Sequence, residues 1–265
     1  MRVGLALLLA SSAVLAQVVE AAFRQDPGPL DFIRGQGEAQ AVLQSLTGDA
    51  LVGVDAKGAL VPRLALRWEA RKDGLRLSLR HDATFPDGAH LTVQDALWTL
   101  QELQRNPAAD PAKQRILLGA SAFIQAHQLV LRSPRPALEL LRDLARVPIT
   151  RRGRPDQGSG PFRLEVTGGA WVLHRRAHYL GPRLEGLRFR RFADEAAALR
   201  DGQLHLLPQG SGSPPPSHRA VPLPGSPEGL WVDRRLDLDL GPAGPFGTTP
   251  GPAAWHWHPL RPIPR

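Results

Sequence analysis

The 265 residues include no cysteine and one methionine, and only three of the 33 basic residues are lysine (Lys57, Lys72, Lys113). The missing thiols exclude disulfide scaffolds, thiolate zinc sites, iron–sulfur clusters, cysteine nucleophiles and a lipid-modified N-terminal cysteine. No apolar run reaches the ~20 residues that a membrane-spanning helix needs. No HExxH zinc motif and no Walker-type phosphate loop occur, and Gly35-Gln36-Gly37 lacks the third glycine of a dinucleotide fingerprint. Gly210-Ser211-Gly212-Ser213 lies in a proline-rich stretch rather than on a strand-to-helix elbow, so it offers no serine nucleophile. Asp194 and Glu195 are adjacent at a helix start and face different ways, which suits capping rather than paired acid–base chemistry. His256 and His258 flank Trp257 in a polar tail and read as solvated, not as metal ligands.

What is present is a chain long enough to bury a real core, roughly 70% of its unfolded surface for one domain. Its 42% hydrophobic content argues against wholesale disorder. The net charge of +8 is carried by arginines scattered along the chain. A nucleic-acid surface gathers charge on one face, so no nucleic-acid partner is inferred. Arg151-Arg152 and Arg190-Arg191 read as solvated faces, and Trp68, Trp98 and Trp171 as core.

Residues 1–22 have the layout of a secretory signal: Arg2, then an apolar run from Val3 to Leu15. Small residues allow a cut at Val14/Ala16 or at Glu20/Ala22. The mature chain is therefore expected to be exported.

Apolar periodicity then marks out elements. Ile33 to Leu46 carries Ala39, Val42, Leu43 and Leu46 near helical spacing. Leu75, Leu77 and Leu79 alternate on a strand after an Asp73-Gly74 turn. Thr92 and Asp95 stand three apart ahead of a stripe of Val93, Ala96, Leu97, Leu100 and Leu103, a capped amphipathic helix. A strand is expected from His127 to Arg132 and a short helix from Ala137 to Leu144. Phe162–Val166 and Trp171–His174 form a hairpin about Gly168-Gly169. Leu187 to Leu207 reads as strand–helix–strand, the local mark of α/β layering. From Pro208 onward, 58 residues hold 14 of the 26 prolines; this reads as an irregular tail with one strand within Leu230–Leu240.

Several segments in this order carry a family resemblance. They are Gly53 to Ala65, Trp68-Glu69, Asp73-Gly74-Leu75, Phe85-Pro86-Asp87-Gly88 and Leu91 to Ala96. Further on come Gly158 to Leu164, His178-Tyr179-Leu180-Gly181, and Asp194 to Leu199 with Asp201-Gly202-Gln203-Leu204. Over roughly residues 45–207 the chain resembles the N-terminal half of the family 5 extracellular solute-binding proteins, the oligopeptide, dipeptide and nickel receptors of ATP-binding-cassette importers. His205 departs from the acidic residue usual at that place, and the proline-rich end stands where members have a second lobe.

The resemblance implies an α/β fold of the periplasmic-binding-protein type II class, truncated to its first lobe plus an auxiliary subdomain. Residues 23–50 and 152–207 would form the lobe, 51–151 the subdomain and 208–265 the tail. It implies a periplasmic, monomeric, non-enzymatic chain without cofactor. Such a chain binds a peptide or other small polar solute for permease subunits at the membrane. Interlobe contacts are expected at Asp49 to Leu51 and at Leu207 to Gln209. With one wall of the clamshell missing, binding is expected to be weak. A basic exported protein that binds an acidic polymer or protein partner is the alternative.

Overall fold

In the computed structural model the chain is described over residues 17–23, 25–54, 58–72, 74–176, 184–210, 218–222, 229–233, 247–248 and 255–256. The first element is strand β1 (Gln17–Ala22). Val19 and Ala21 are buried while Val18 is exposed, the period-two pattern of a strand. β1 lies within residues 1–22 and is paired to neighbours on both sides.

Asp31 then closes a tight turn, its Oδ1 accepting from the Ile33 and Arg34 amides at 2.8 Å. That turn and Gly37 (φ 85°) delay the helix, so α1 (Glu38–Thr47) starts five residues after Ile33. Its Val42, Leu43 and Leu46 pack with Phe162, Leu173, Leu187 and Phe189 in one core.

β2 (Asp49–Ala50) and the hairpin β3 (Val52–Val54) with β4 (Leu60–Pro62) lead to a second core. There β5 (Ala65–Arg71) and β6 (Gly74–Leu79) run antiparallel. Leu75 and Leu77 are buried and Leu79 packs at the edge of the same cluster, as the alternation predicts. Asp73 lies outside the described residues. α2 (Val93–Arg105) starts where expected: Asp95 Oδ2 accepts from the Thr92 amide at 2.8 Å and from its hydroxyl at 2.7 Å. Asp95 Oδ1 also accepts from the Arg152 amide at 2.9 Å, which ties the helix start to a distant turn. Ala96, Leu100 and Leu103 are fully buried.

The short α3 (Pro111–Ile116) is capped by Asp110. β7 (Ser121–Gln125) and β8 (Gln128–Arg132) form a hairpin whose turn is Ala126-His127, both with positive φ. His127 is thus the turn and not the strand start. The sheet order β5-β6-β8-β7 completes this unit, followed by α4 (Ala137–Leu144).

β9 (Pro148–Arg151) then pairs with both β2 and β10 (Arg154–Gly158). The chain returns to the first core through β11 (Phe162–Thr167) and β12 (Ala170–Arg175), joined by the Gly168-Gly169 turn. β13 (Leu184–Arg190), α5 (Glu195–Arg200) and β14 (Leu206–Gly210) form the strand–helix–strand unit. β1 runs parallel to β13 and β14 and sits between them. β15 (His218–Pro222) and β16 (Gly229–Asp233) extend the sheet to seven strands, in the order β11-β12-β13-β1-β14-β16-β15. Within the stretch from residue 208, β16 pairs along β14 at Leu206↔Val232 and Leu207↔Trp231 and β15 along β16. The strand expected within Leu230–Leu240 is Gly229–Asp233; residues 234–246 and His178-Tyr179-Leu180-Gly181 lie outside the described residues.

The two cores meet where the outgoing and returning chain segments touch. The Gly160 amide donates to Thr47 O at 2.8 Å. A Cβ on Gly160 would stand 2.5 Å from Thr47 C and 2.6 Å from Gly48 N, closer than real atoms approach. Both obstacles are backbone and cannot rotate away. Gly160→Ala is therefore expected to cost about 1–3 kcal/mol, by the usual penalty for forced overpacking. It should show as a lower urea midpoint at unchanged slope. An unchanged midpoint would mean that the two segments part freely.

Candidate functional site

Beside that junction lies a cleft of about 810 Å³, within the ~300–1,000 Å³ range of small-molecule sites. The start of α1 (Gly35 to Glu38), the β2–β3 run, α3 and the flanks of α4 form its walls. Five cationic side chains (Arg63, Lys113, Arg115, Arg135, Arg146) and four carboxylates (Glu38, Asp49, Asp110, Asp143) line it. Among the described residues, no three His, Cys, Asp or Glu side chains come together as a metal site.

Asp49 is placed here by β2, whose pairing with β9 sets Asp49 opposite Ile149. Only 8% of the residue is exposed. Burial pushes its carboxyl above the usual range, and the nearby Arg63 guanidinium, 3.7 Å away, opposes that rise. Its Oδ1 also accepts from the Ala50 amide at 3.1 Å.

Lys113 comes from α3 and is buried under α1. Its Nζ donates to Gln44 Oε1 at 2.7 Å and to Phe32 O at 3.0 Å, with Asp110 at 3.8 Å. Gln44 in turn donates to Asp31 O at 2.7 Å. The ammonium is thus desolvated but hydrogen-bonded, the condition under which a buried charge is tolerated. Burial lowers it to about 8, against partial support from Asp110 and Asp31. Asp143 behaves differently. Burial works against its carboxylate, yet hydrogen bonds from Arg135 and Arg146 hold it below the usual range.

Of the four expected contacts, the structure places one in the cleft. Asp49 lines it. Leu51, expected as a contact beside it, does not line the cleft; it sits on the bend between β2 and β3 and is fully buried in the second core. Leu207 and Gln209 lie on β14, which pairs with β1 and β16 and belongs to a different sheet from Asp49. The structure does not bring them together with Asp49. His205, the unusual residue just before them, is instead structural: its Nδ1 accepts from the Glu20 amide at 3.0 Å, and its own amide donates to Glu20 O at 2.9 Å.

The cations of the cleft were not singled out by sequence. One signal was present: Lys113 is one of three lysines in a chain that otherwise uses arginine. A compact ammonium fits a narrow pocket between a glutamine and a carbonyl where a planar guanidinium does not.

The family profile described as bacterial extracellular solute-binding proteins, family 5 Middle, matches residues 59–221. No match is found among curated proteins. Solved structures with a similar fold include the oligopeptide-binding protein AppA of Bacillus subtilis, in complex with a nonapeptide, at 16% identity and TM-score 0.64. The match covers 72% of this chain and 44% of that one. NikA of Brucella suis, in complex with Fe(III)-EDTA, matches at 21% identity and TM-score 0.65, over 74% of this chain and 44% of its own. MoaA of A. tumefaciens R10, in complex with mannopinic acid, matches at 21% and 0.66, over 78% and 49%. At these identities the likeness establishes the fold: that of a periplasmic binding protein. The chain spans a little under half the length of these structures.

The depressed Lys113 ammonium makes stability depend on pH in a defined direction. Unfolded, the side chain keeps its proton up to about 10.5; folded, it releases it near 8. Between these values the unfolded chain binds more protons, so stability rises with pH through that window. Lys113→Met should lack the rise. Urea midpoints of both chains at pH 7.5 and pH 10 test it, and parallel behaviour would contradict the desolvated ammonium.

Proposed function

The chain belongs to the bacterial extracellular solute-binding proteins of family 5, and from that premise we propose that it is the substrate-binding component of an ATP-binding-cassette importer. It holds a peptide or another small polar solute and passes it on unchanged. The observation that carries this reading is the cleft of about 810 Å³ at the junction of the two cores. It is large enough for a short peptide. Its walls carry hydrogen-bonding groups at fixed positions, and no nucleophile–base pair stands in it. Closure against an opposing surface would complete the grip, as in hinge-closing binding proteins generally. The partners on this reading are permease subunits at a membrane, and the compartment is the periplasm.

One wall alone makes fewer contacts than a closed clamshell, and each ~1.4 kcal/mol forgone weakens binding tenfold. Short peptides are therefore expected to bind the isolated chain only weakly, with dissociation constants in roughly the high-micromolar to millimolar range. Saturation-transfer NMR against a panel of di- to pentapeptides tests this, with mass spectrometry of the recovered peptides. Intact, saturably bound peptides support the reading. Cleaved peptides overturn it, as does binding that is confined to polyanions and lost with salt.

Export is part of the proposal. β1 begins at Gln17 and supports a leader cut after Ala16, with Val14 and Ala16 as the small residues read by the peptidase. Mass spectrometry of the exported chain is expected to find Gln17 at its N-terminus. A chain starting at Phe23 would have lost the strand between β13 and β14, and would contradict the assignment.

A further inference from the structure

The charges of the cleft do not balance one for one. Asp49 is matched by Arg63, and Asp110 by Lys113. Asp143 is held by two guanidiniums, those of Arg135 and Arg146, so that trio carries a surplus positive charge. Glu38, in the first turn of α1, adds one carboxylate that the helix end itself favours. Arg115 is different from all of these. It lines the cleft from α3, is exposed, and its side chain has no hydrogen bond or ion pair among the described residues. On an open convex surface such a residue needs no partner, because water serves it. Here it borders a concavity whose lining also includes the buried charged residues Asp49 and Lys113. A field in such a place is screened less than at a flat surface.

We propose that the cleft takes its solute by a carboxylate group and that Arg115 is the residue that meets it. The proposal rests on reading the cleft as the solute site. A carboxylate fits better than a phosphate dianion: one uncommitted guanidinium supplies a single positive charge and a planar two-pronged donor, which is the match for a carboxylate. The volume shows that more than a bare anion is accommodated. The carboxylate is either the C-terminus of a short peptide or that of a free organic acid.

Arg115 supports no other side chain, so Arg115→Gln removes the charge without orphaning a buried partner. The test titrates the exported chain with trialanine, with trialanine carrying a C-terminal amide, and with succinate, read by saturation-transfer NMR at low salt. Either acid, or both, is expected to bind, and the amide to bind roughly tenfold or more weakly, as loss of a charge-assisted pair implies. Binding by trialanine alone assigns the carboxylate to a peptide end, and binding by succinate alone to a free acid. Arg115→Gln should lose the acid's advantage over the amide, and Arg115→Lys should retain part of it. Both variants should melt with the parent chain. An amide that binds as well as its acid, or an Arg115→Gln chain that still discriminates, overturns the proposal and leaves the solute-binding reading standing. If neither these compounds nor the wider peptide panel binds, both fall.

Discussion

The two halves of this molecule are held in register by a place where two backbone segments lie against each other with no side chain between them. The chain leaves the first core at Thr47-Gly48 and returns at Gly158 to Gly160. The returning segment donates from the Gly160 amide to Thr47 O, and a Cβ on Gly158 would stand 2.8 Å from Gly48 Cα. Arg176 completes the junction. Its buried guanidinium donates to Ser159 O and Gly160 O at 3.1 Å, to Thr84 O and Oγ1 at 2.8 Å, and to Phe85 O at 3.0 Å. Four carbonyls and a hydroxyl thus accept from this one guanidinium. Such a fork reaches from one core to the other, and it satisfies groups that would otherwise be buried without partners.

The cleft follows from that junction. Because β2 leaves directly from Gly48, Asp49 is fixed at the cleft wall by the same pairing with β9 that joins the outgoing and returning segments. On the other side, α3 is brought against α1 by Lys113, whose ammonium links Gln44 of the helix to Phe32 O of the preceding turn. Gln40 and Gln44 are buried on α1 because their amides serve loop carbonyls: Gln40 donates to Pro27 O and Pro29 O, and Gln44 to Asp31 O and Gly35 O. A polar seam of this kind costs stability unless every member is paired. Here it gives a rigid wall studded with charges, which is what a site for a small polar solute needs.

Local elements were legible from sequence where the physics is local. The Thr92/Asp95 cap, the Leu75 alternation, the Gly168-Gly169 turn and the strand–helix–strand run to Leu207 all depend on neighbours a few residues apart, and all stand as read. The start of α1 was misplaced because Asp31 satisfies the amides of Ile33 and Arg34, a local competitor to helix that apolar spacing does not register. The site was less legible. Of the interlobe contacts expected from sequence, Asp49 lines the cleft while Leu51 is buried in the second core, and Arg63, Lys113, Arg115 and Arg135 went unmarked. They lie on three separate segments, the end of the β3–β4 hairpin, α3 and the approach to α4, and nothing in their spacing announces that the chain folds them around one cavity.

By itself, then, the sequence determined the elements whose physics is local, among them capped α2, the β6 alternation, α4 and the β11–β12 turn. Through the ordered run of its motifs it also determined the family. Tertiary structure alone decided the rest. It set β1 between β13 and β14 more than 160 residues away in the chain, as the Val19↔Leu187 and Ala21↔Phe189 register shows. It added β15 and β16 to the sheet from a proline-rich segment in which the sequence had suggested a single strand. It also left the Arg115 side chain, among the cleft cations, without a partner in the described residues. Strand order and charge pairing are long-range outcomes of burying two cores at once, so no window of local sequence contains them.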